Sequence, residues 1–303
     1  MRLRIYSLTL SFFILLPGLA SACACGCGVF DVGTGSMLPT GPGGTAWLEY
    51  DFMNQGMNWS GGNVASEANN PDKRIRSDFI TAGAQYMFNR SWGAELEVPY
   101  NDRYFRTSDD AGSGAGVQHS ALGDIRISGI YSGFSADMST GLTFGVKLPT
   151  GDYTYTGFDR DTSLGTGSTD LLLGGYHMGS LTARTTWFAD GRLDQPVIVQ
   201  GQYRPGDEID AALGAYYKAG SVFGIGIISP LLQVIGSQRW RDSGANADSA
   251  DSGYTRLMIS PGVEYHINRV KFYADIELPV YQTVNGNQLV APVYYKALVA
   301  YDF

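Results

Sequence analysis

The sequence predicts an all-β protein: a single antiparallel transmembrane β-barrel of about 12 strands. Three observations support this. Apolar and polar residues alternate with period two along strand-length segments, one hairpin pattern occurs twice, and short connections alternate with long ones. Short periplasmic turns and long extracellular loops are typical of outer-membrane barrels of Gram-negative bacteria. The remaining alternative is a secreted soluble β-sandwich, in which the apolar faces would point inward.

The repeated hairpin covers residues 80–100 and 259–281. Matching positions are Gly83, Tyr86, Asn89, Arg90 and Pro99 in the first copy and Gly262, Tyr265, Asn268, Arg269 and Pro279 in the second. The closing segment from Val293 to Phe303 has an apolar face and ends on an aromatic residue, as expected of a strand that the outer-membrane assembly machinery recognises. This favours the barrel, with its apolar faces turned toward outer-membrane lipid.

The first 22 residues have the pattern of a secretory signal peptide. Arg2 and Arg4 precede an apolar run, and small residues end the segment at Ala22. The chain carries 21 Lys and Arg against 29 Asp and Glu, so loss of the two arginines leaves 19 basic residues and a net charge of −10. Such a charge argues against nucleic acid as a partner.

Residues 23–44 form a Cys- and Gly-rich segment, expected to be periplasmic or lumenal. Cys23, Cys25 and Cys27 are the three cysteines of the chain, and alternate residues of an extended chain point to the same side. Three thiolates on one side would suit a soft metal ion such as Cu(I) or Zn(II). The alternatives are a disulfide with one free thiol, lipidation of Cys23, or another redox role.

The barrel is predicted to cover residues 45–303. Apart from the repeated hairpins and the closing strand, strands are expected at 45–52, 123–127, 142–148, 171–176, 181–189, 209–217 and 223–227, with 191–208 interpreted as a loop. Pro99, Pro149, Pro230 and Pro279 are expected at the upper ends of ascending strands, where a missing N–H breaks no interior hydrogen bond.

If the apolar faces meet lipid, charged residues line the lumen. The predicted lumenal or selectivity residues are Glu49, Asp51, Glu95, Glu97, Asp124, Arg126, Lys147, Arg184, Lys218, Glu264, Asp275 and Glu277. Most carboxylates are expected on one wall and the cations on the other, which would set up a transverse field across the pore. Alternatively, neighbours such as Glu97 and Arg126 pair across adjacent strands and plug the barrel.

The pattern does not suggest an enzyme. The three histidines, His119, His177 and His266, are scattered and form no catalytic or metal-binding spacing. No cofactor is expected other than a metal ion at the cysteines.

Five stretches carry a resemblance to a known family: LGDIRISGIY at 122–131, GVKLPTGDY at 145–153, GTGSTDLLLG at 165–174, ELEVPY at 95–100 and YRPGDE at 203–208. With these, the chain resembles the outer-membrane family of meta-pathway phenol-degradation proteins. The resemblance implies a channel or transporter for small, often aromatic compounds. The resulting hypothesis is an outer-membrane channel for a small solute, whose cysteine segment binds a soft metal or a periplasmic partner. The alternative is a plugged barrel that acts as a structural or docking component.

Overall fold

The computed structural model describes residues 28–108, 114, 116–222 and 224–303. Across these ranges twelve antiparallel strands form a closed barrel, which confirms the predicted fold class. The strands are β1 Gly43–Gln55, β2 Asp72–Met87, β3 Trp92–Thr107, β4 in two parts (Val117–Leu122 and Arg126–Tyr131), β5 Thr140–Lys147, β6 Ser168–Ser180, β7 Thr185–Val199, β8 Glu208–Tyr217, β9 Gly226–Arg239, β10 Tyr254–Ile267, β11 Val270–Val290 and β12 Tyr294–Asp302.

Each strand pairs with its neighbours in sequence, and β1 also pairs with β12 to close the ring. Short strands at Met57–Gly61, Asn63–Val64 and Gly220–Val222 extend the sheet. The described residues also form four 3₁₀ turns that are not part of the barrel wall, at Gly28–Asp31, Gly35–Met37, Glu67–Asn69 and Arg160–Thr162. Over the described residues, no helix is both long enough and apolar enough to span a bilayer.

The outer face of the barrel is an apolar belt. Its exposed side chains include Leu48, Ile80, Leu96, Ile127, Phe144, Leu173, Leu213, Leu232, Ile259, Phe272 and Val299. The intervening residues point inward and are mostly polar, for example the buried Asp51, Lys147 and Asp275. Apolar side chains on the outside and polar ones inside are the arrangement that a lipid environment requires, so the chain is an outer-membrane barrel rather than a soluble sandwich.

Aromatic side chains gather near the short-turn end, which faces the periplasm in barrels of this kind. The rings of Tyr86 and Phe88 lie 5.6 Å apart, and those of Trp92 and Tyr131 lie 4.7 Å apart. Tyr86 also stacks on Phe303 at 6.3 Å. Amphipathic rings at this level match the aromatic girdle expected where the bilayer meets water.

Strand β7 is longer than the sequence pattern indicated. The expected loop at 191–208 is wrong over residues 191–199, because β7 continues to Val199 and pairs with both β6 and β8. Inward charges at Arg192 and Asp194 and a register shift beside Pro196 make this segment look irregular in sequence. A polar lumen permits inward charges, so the segment can be a strand without an apolar inner face.

The expectation that proline ends ascending strands holds for Pro149 but is wrong for Pro99, Pro230 and Pro279, which lie inside β3, β9 and β11. Pro99 faces the interruption of β4, where Gly123 N donates to its carbonyl oxygen at 2.8 Å. The register is irregular next to Pro279. A missing N–H is tolerated where the ladder is already broken.

Candidate functional site in the barrel lumen

Residues 28–39, here called the lumenal segment, lie inside the barrel. Phe30 and Val32 are buried in the same core as side chains from the barrel wall. The ring of Phe30 lies 6.0 Å from that of Phe79 on β2 and 5.8 Å from that of Tyr294 on β12. The described part of the segment expected to be periplasmic or lumenal is therefore in the lumen, where it fills space that would otherwise be open.

The middle of the lumenal segment is fixed by two cationic side chains of the wall. Arg126 on β4 donates from Nη1 and Nη2 to the two carboxylate oxygens of Asp31, at 2.5 and 2.8 Å. Lys296 on β12 donates from Nζ to the carbonyl oxygens of Phe30 at 2.5 Å and Val32 at 3.4 Å. Charge-assisted, bidentate hydrogen bonds of this kind are both strong and directional.

Two further contacts hold the rest of the segment. Gly33 N donates to Asp190 Oδ2 on β7 at 3.2 Å, and Gln85 Nε2 on β2 donates to the carbonyl oxygen of Met37 at 2.7 Å. The segment thus has polar anchors on four strands around the barrel. It is a plug held mainly by hydrogen bonds rather than a covalent or fully apolar seal.

A cavity of about 330 Å³ adjoins this plug. Its lining combines the lumenal segment, strands β1 to β9 and β12, the loop at 203–206, and loop L3, which comprises residues 148–167. The charged lining residues are Asp31, Glu49, Asp51, Glu95, Glu97, Asp124, Asp161, Asp170, Asp190, Asp194 and Glu208 among the acids, and Arg103, Arg126, Lys147, Arg160, Arg192 and Arg239 among the bases. Carboxylates therefore outnumber cations in the lining.

Loop L3 closes over the cavity from the long-loop end. Arg103 on β3 donates from Nη1 to the carbonyl oxygens of Thr162 and Ser163 at 2.7 and 3.0 Å. Asp124, in the interruption of β4, accepts from Gly151 N at 3.0 Å and from both N and Oγ1 of Thr166 at 2.7 Å. Arg103 and Asp124 are buried, so they act as fixed clamps between the wall and the loop.

Several predicted lumenal residues do meet inside the barrel. Glu97 Oε2 lies 3.9 Å from Arg126 Nη1 and 3.7 Å from Arg192 Nη2, and Glu49 Oε2 lies 4.0 Å from Lys296 Nζ. These carboxylates of β1 and β3 lie beside cations of β4, β7 and β12 instead of facing them across an open pore. The geometry thus corresponds to the pairing alternative more closely than to a transverse field.

A second ion cluster lies on the β5 to β7 wall. Lys147 pairs with Asp170 and lies 3.3 Å from Asp194 Oδ2. Both Lys147 and Asp170 are buried. This cluster forms another part of the cavity lining.

The remaining predicted residues are elsewhere. Asp275 on β11 belongs to a buried network in which Oδ2 accepts from Gln233, Ser260 and Tyr273 at 2.7 to 2.8 Å. Glu277 is fully buried, whereas Glu264 is half-buried. Among the described residues that line the cavity, none of these three carboxylates is present.

Arg184 and Lys218 are exposed at the short-turn end, so their predicted lumenal position is wrong. Lys218 N donates to the carbonyl oxygen of Arg184 at 2.8 Å, just beyond the ends of β7 and β8. The alternation of apolar and polar residues in the sequence continues through Arg184 and Lys218, but strand β7 begins only after Arg184 and strand β8 ends before Lys218.

Sequence reasoning missed Asp31, Arg192, Asp194, Glu208 and Arg239. Asp31 lies in a segment without strand periodicity, and the next three were assigned to a loop. The alternation of Arg192 and Asp194 around Leu193 was a signal that could have placed two of them on a strand face.

Cys23, Cys25 and Cys27 lie outside the described residues, as does the expected signal peptide. Within the described part of the chain, no group of three or more His, Cys, Asp or Glu side chains is arranged to hold a metal ion. His119 pairs with Asp152 at 3.0 Å, and His177 contacts Thr140 at 2.7 Å.

Known structures share the fold. An outer-membrane channel from Pseudomonas putida F1 superposes with a TM-score of 0.68 at 13% identity, covering 90% of this chain and 100% of that one. The β domain of the Bordetella autotransporter BrkA gives a TM-score of 0.54 at 12% identity, covering 86% and 100% of the two chains. No curated protein matches the sequence.

A family model described as "Putative MetA-pathway of phenol degradation" matches residues 57–291, which include the second to eleventh strands of the barrel. The resemblance found in the strand and loop motifs is thereby confirmed over more than half of the sequence. The chain belongs to this family of outer-membrane barrel proteins.

Proposed function

We propose that this protein is an outer-membrane channel for a small solute, and that the lumenal segment is its movable plug. The observation that carries the proposal is the cavity of about 330 Å³ between the plug and loop L3. This volume lies near the lower end of the range for small-molecule sites, about 300–1,000 Å³. The family description links its members to phenol degradation, which favours a solute with a single aromatic ring.

The anchors of the plug suit a reversible closure. Asp31 and the backbone of the lumenal segment are held by side chains of Arg126, Lys296, Asp190 and Gln85. When the segment moves, water or a solute can replace each of these hydrogen bonds, so the net cost of opening is much smaller than their sum in isolation. A solute that enters the cavity would compete directly with the plug for the same side chains.

A second function is favoured by the filled lumen itself. A barrel that stays plugged would act as a structural or docking component for a periplasmic or surface partner. The two proposals differ in one measurable property, because a permanently plugged barrel passes no solute. Neither role involves catalysis by the side chains of the lumen.

Liposome swelling with the refolded barrel tests the proposal. Alanine, glucose and raffinose provide solutes of increasing size, and heat-modifiable migration on gels establishes that the barrel is folded. We expect swelling with alanine that falls off steeply toward raffinose. A folded barrel that admits none of these solutes, even after the Asp31→Asn substitution loosens the plug, would contradict the channel and favour the docking role.

A further inference from the structure

We propose that the cavity recognises a positively charged solute, through a trough of four carboxylates between strands β1 and β3. The trough consists of Glu49 and Asp51 on β1 and Glu95 and Glu97 on β3. The inferred ligand class is a small organic cation, an ammonium group attached to an apolar or aromatic body. This inference rests on the proposed channel function and specifies which solute the channel prefers.

Strand register creates the trough. Strand β2 lies between β1 and β3, and adjacent strands are about 4.8 Å apart, so the two carboxylate-bearing strands are separated by about 10 Å. On β2, Thr81 lies opposite Glu49 and Gly83 lies opposite Glu97. The indole ring of Trp47 covers Gly83, so the floor between the two acidic rims is aromatic. An ammonium group would bind at one rim while the body of the solute lies across this floor.

Carboxyl groups outnumber cations at this place. With Asp31 included, five carboxylates face three cations, Arg126, Arg192 and Lys296. Arg126 is already engaged in its bidentate pair with Asp31, and Lys296 donates to the backbone of the lumenal segment. Two carboxyl groups are therefore left without a matching cation. A cationic solute would supply the missing partner and would favour the ionised form of these groups.

Asp51 is the sharpest indication of an absent ligand. It is only 3% exposed and lines the cavity, its carboxyl group lies within hydrogen-bonding reach of that of Glu49, and its Oδ1 has no other partner among the described residues. Buried carboxylate oxygens are normally satisfied, so an unpartnered one directed at a cavity calls for a donor. An ammonium group supplies up to three N–H donors, whereas a hydrocarbon or a benzoate ion supplies none.

The apolar part of the solute would meet aromatic side chains. The ring of Trp47 lies against Gly83 on the floor of the trough, and Phe79 and Phe30 also line the cavity. Aromatic faces attract organic cations, typically by about 0.5–2 kcal/mol. Carboxylates beside aromatic rings are thus complementary to an arylalkyl ammonium ion in both charge and shape.

A competing assignment uses the same cavity. Arg126 and Arg192 hold the carboxylate of Asp31, and a solute carboxylate could take its place. The excess of carboxylates in the lining opposes the entry of an anion, so the observations favour the cation. The experiment distinguishes the two ligand classes directly.

Calorimetric titration of the refolded full-length mature barrel in detergent would use three matched probes: benzylammonium, benzyl alcohol and benzoate. We expect benzylammonium to bind at least tenfold more tightly than benzyl alcohol, and benzoate to bind most weakly. The substitutions Asp51→Asn and Glu95→Gln should each reduce the preference for benzylammonium over benzyl alcohol at least threefold. Asp210→Asn is the matched control, because Asp210 is a buried inward carboxylate of β8 outside the cavity lining.

Equal affinity for benzylammonium and benzyl alcohol would overturn the inference, as would an Asp210→Asn effect as large as that of Asp51→Asn. Tighter binding of benzoate than of benzylammonium would also overturn it, and would indicate that Arg126 and Arg192 bind the solute. The swelling assay separates this result from the channel proposal. Swelling without a preference for benzylammonium would support the channel and contradict the cation site. A preference for benzylammonium without swelling would support the cation site and contradict the channel.

Discussion

Asp31 of the lumenal segment and Arg126 of the barrel wall form a bidentate ion pair with hydrogen bonds of 2.5 and 2.8 Å. The two residues are 95 positions apart in sequence, and the pair is mostly buried. It ties the part of the chain that fills the lumen to the strand that is interrupted beside loop L3. The two segments that close the cavity are thus both attached at β4: the lumenal segment through Arg126, and loop L3 through Asp124 in the interruption of that strand.

Replacing Asp31 with Asn should loosen the plug. Removing one partner of a buried ion pair costs about 3–5 kcal/mol, because the other charge stays buried. We expect higher single-channel conductance in planar bilayers and more frequent openings. Asp302→Asn is the control, since Asp302 pairs with Lys271 at 3.2 Å in a more exposed place, where an ion pair contributes about 0–1 kcal/mol. Equal conductance in both variants would show that the Asp31 pair does not hold the plug.

Gly33 is a second point at which the plug can be tested. Its φ is +88°, and an added Cβ would lie 2.8 Å from Gln233 Oε1. Gly33→Ala should therefore displace the lumenal segment and increase conductance, because residues with a Cβ rarely adopt this backbone conformation and the side chain of Gln233 would have to move. Gly41→Ala adds the same methyl group where nothing lies within 4 Å, and its conductance should equal that of the parent protein.

A charge on the lipid-facing belt should destabilise the barrel according to depth. Leu213 is 57% exposed near the middle of β8, and Leu213→Arg should cost about 2–4 kcal/mol of the free energy of unfolding in lipid vesicles. Ile209→Arg, four residues closer to the long-loop end of the same strand, should cost about 0–1 kcal/mol. Denaturant titration measures both, and equal losses would contradict the assignment of this face to lipid.

The closure of loop L3 should weaken as the pH rises. Burial and the nearby carboxylates of Asp159 and Asp242 raise the pKa of Asp161 to about 7, from an ordinary value of 3.8. The folded loop therefore holds a proton that the unfolded loop has already released. The contribution of this group to loop stability is complete below pH 3.8 and is lost as the pH rises through 7. Limited proteolysis of residues 148–167 should be faster at pH 8 than at pH 5, and Asp161→Asn should reduce that difference.

The cysteine segment gives a separate prediction. If Cys23, Cys25 and Cys27 bind a soft metal ion, titration of the purified mature protein with Cu(I) or Zn(II) should show a site that disappears when all three become serine. A single Cys25→Ser variant should bind more weakly, because it leaves two thiolates. Unchanged affinity in the triple variant would exclude these thiolates as the ligands.

The lipid-facing half of the barrel was the part that could be predicted from sequence. Membrane lipid demands an apolar side chain at every second position, so segments such as 45–52 and 259–267 carry a clear signal. Side chains that face the lumen are under no comparable constraint, because a lumen accepts both polar and apolar residues. The charges at Arg192 and Asp194 therefore resembled a loop, although they lie on β7.

The candidate site was predictable only in part, for the same reason. Glu97 and Arg126 were expected to face inward, since they alternate with lipid-facing residues, and their pairing was one of two alternatives; they lie 3.9 Å apart. The role of Asp31 was not predictable, because its partners on β4 and β7 are distant in sequence and the lumenal segment has no period. Arg184 shows the converse error, in which a local alternation continues past the end of the wall.

The seam between the first and last strands has a consequence for the order of folding. Gly44 and Phe303 exchange backbone hydrogen bonds of 3.0 and 2.8 Å across it, and the lumenal segment ends only a few residues before β1 begins. While this seam is open, residues 28–39 can lie against the inner face of an unclosed sheet. Once it has closed, the same residues can enter only through an open end of the ring. The simplest assembly path therefore places the lumenal segment against the wall before the two edges of the sheet meet.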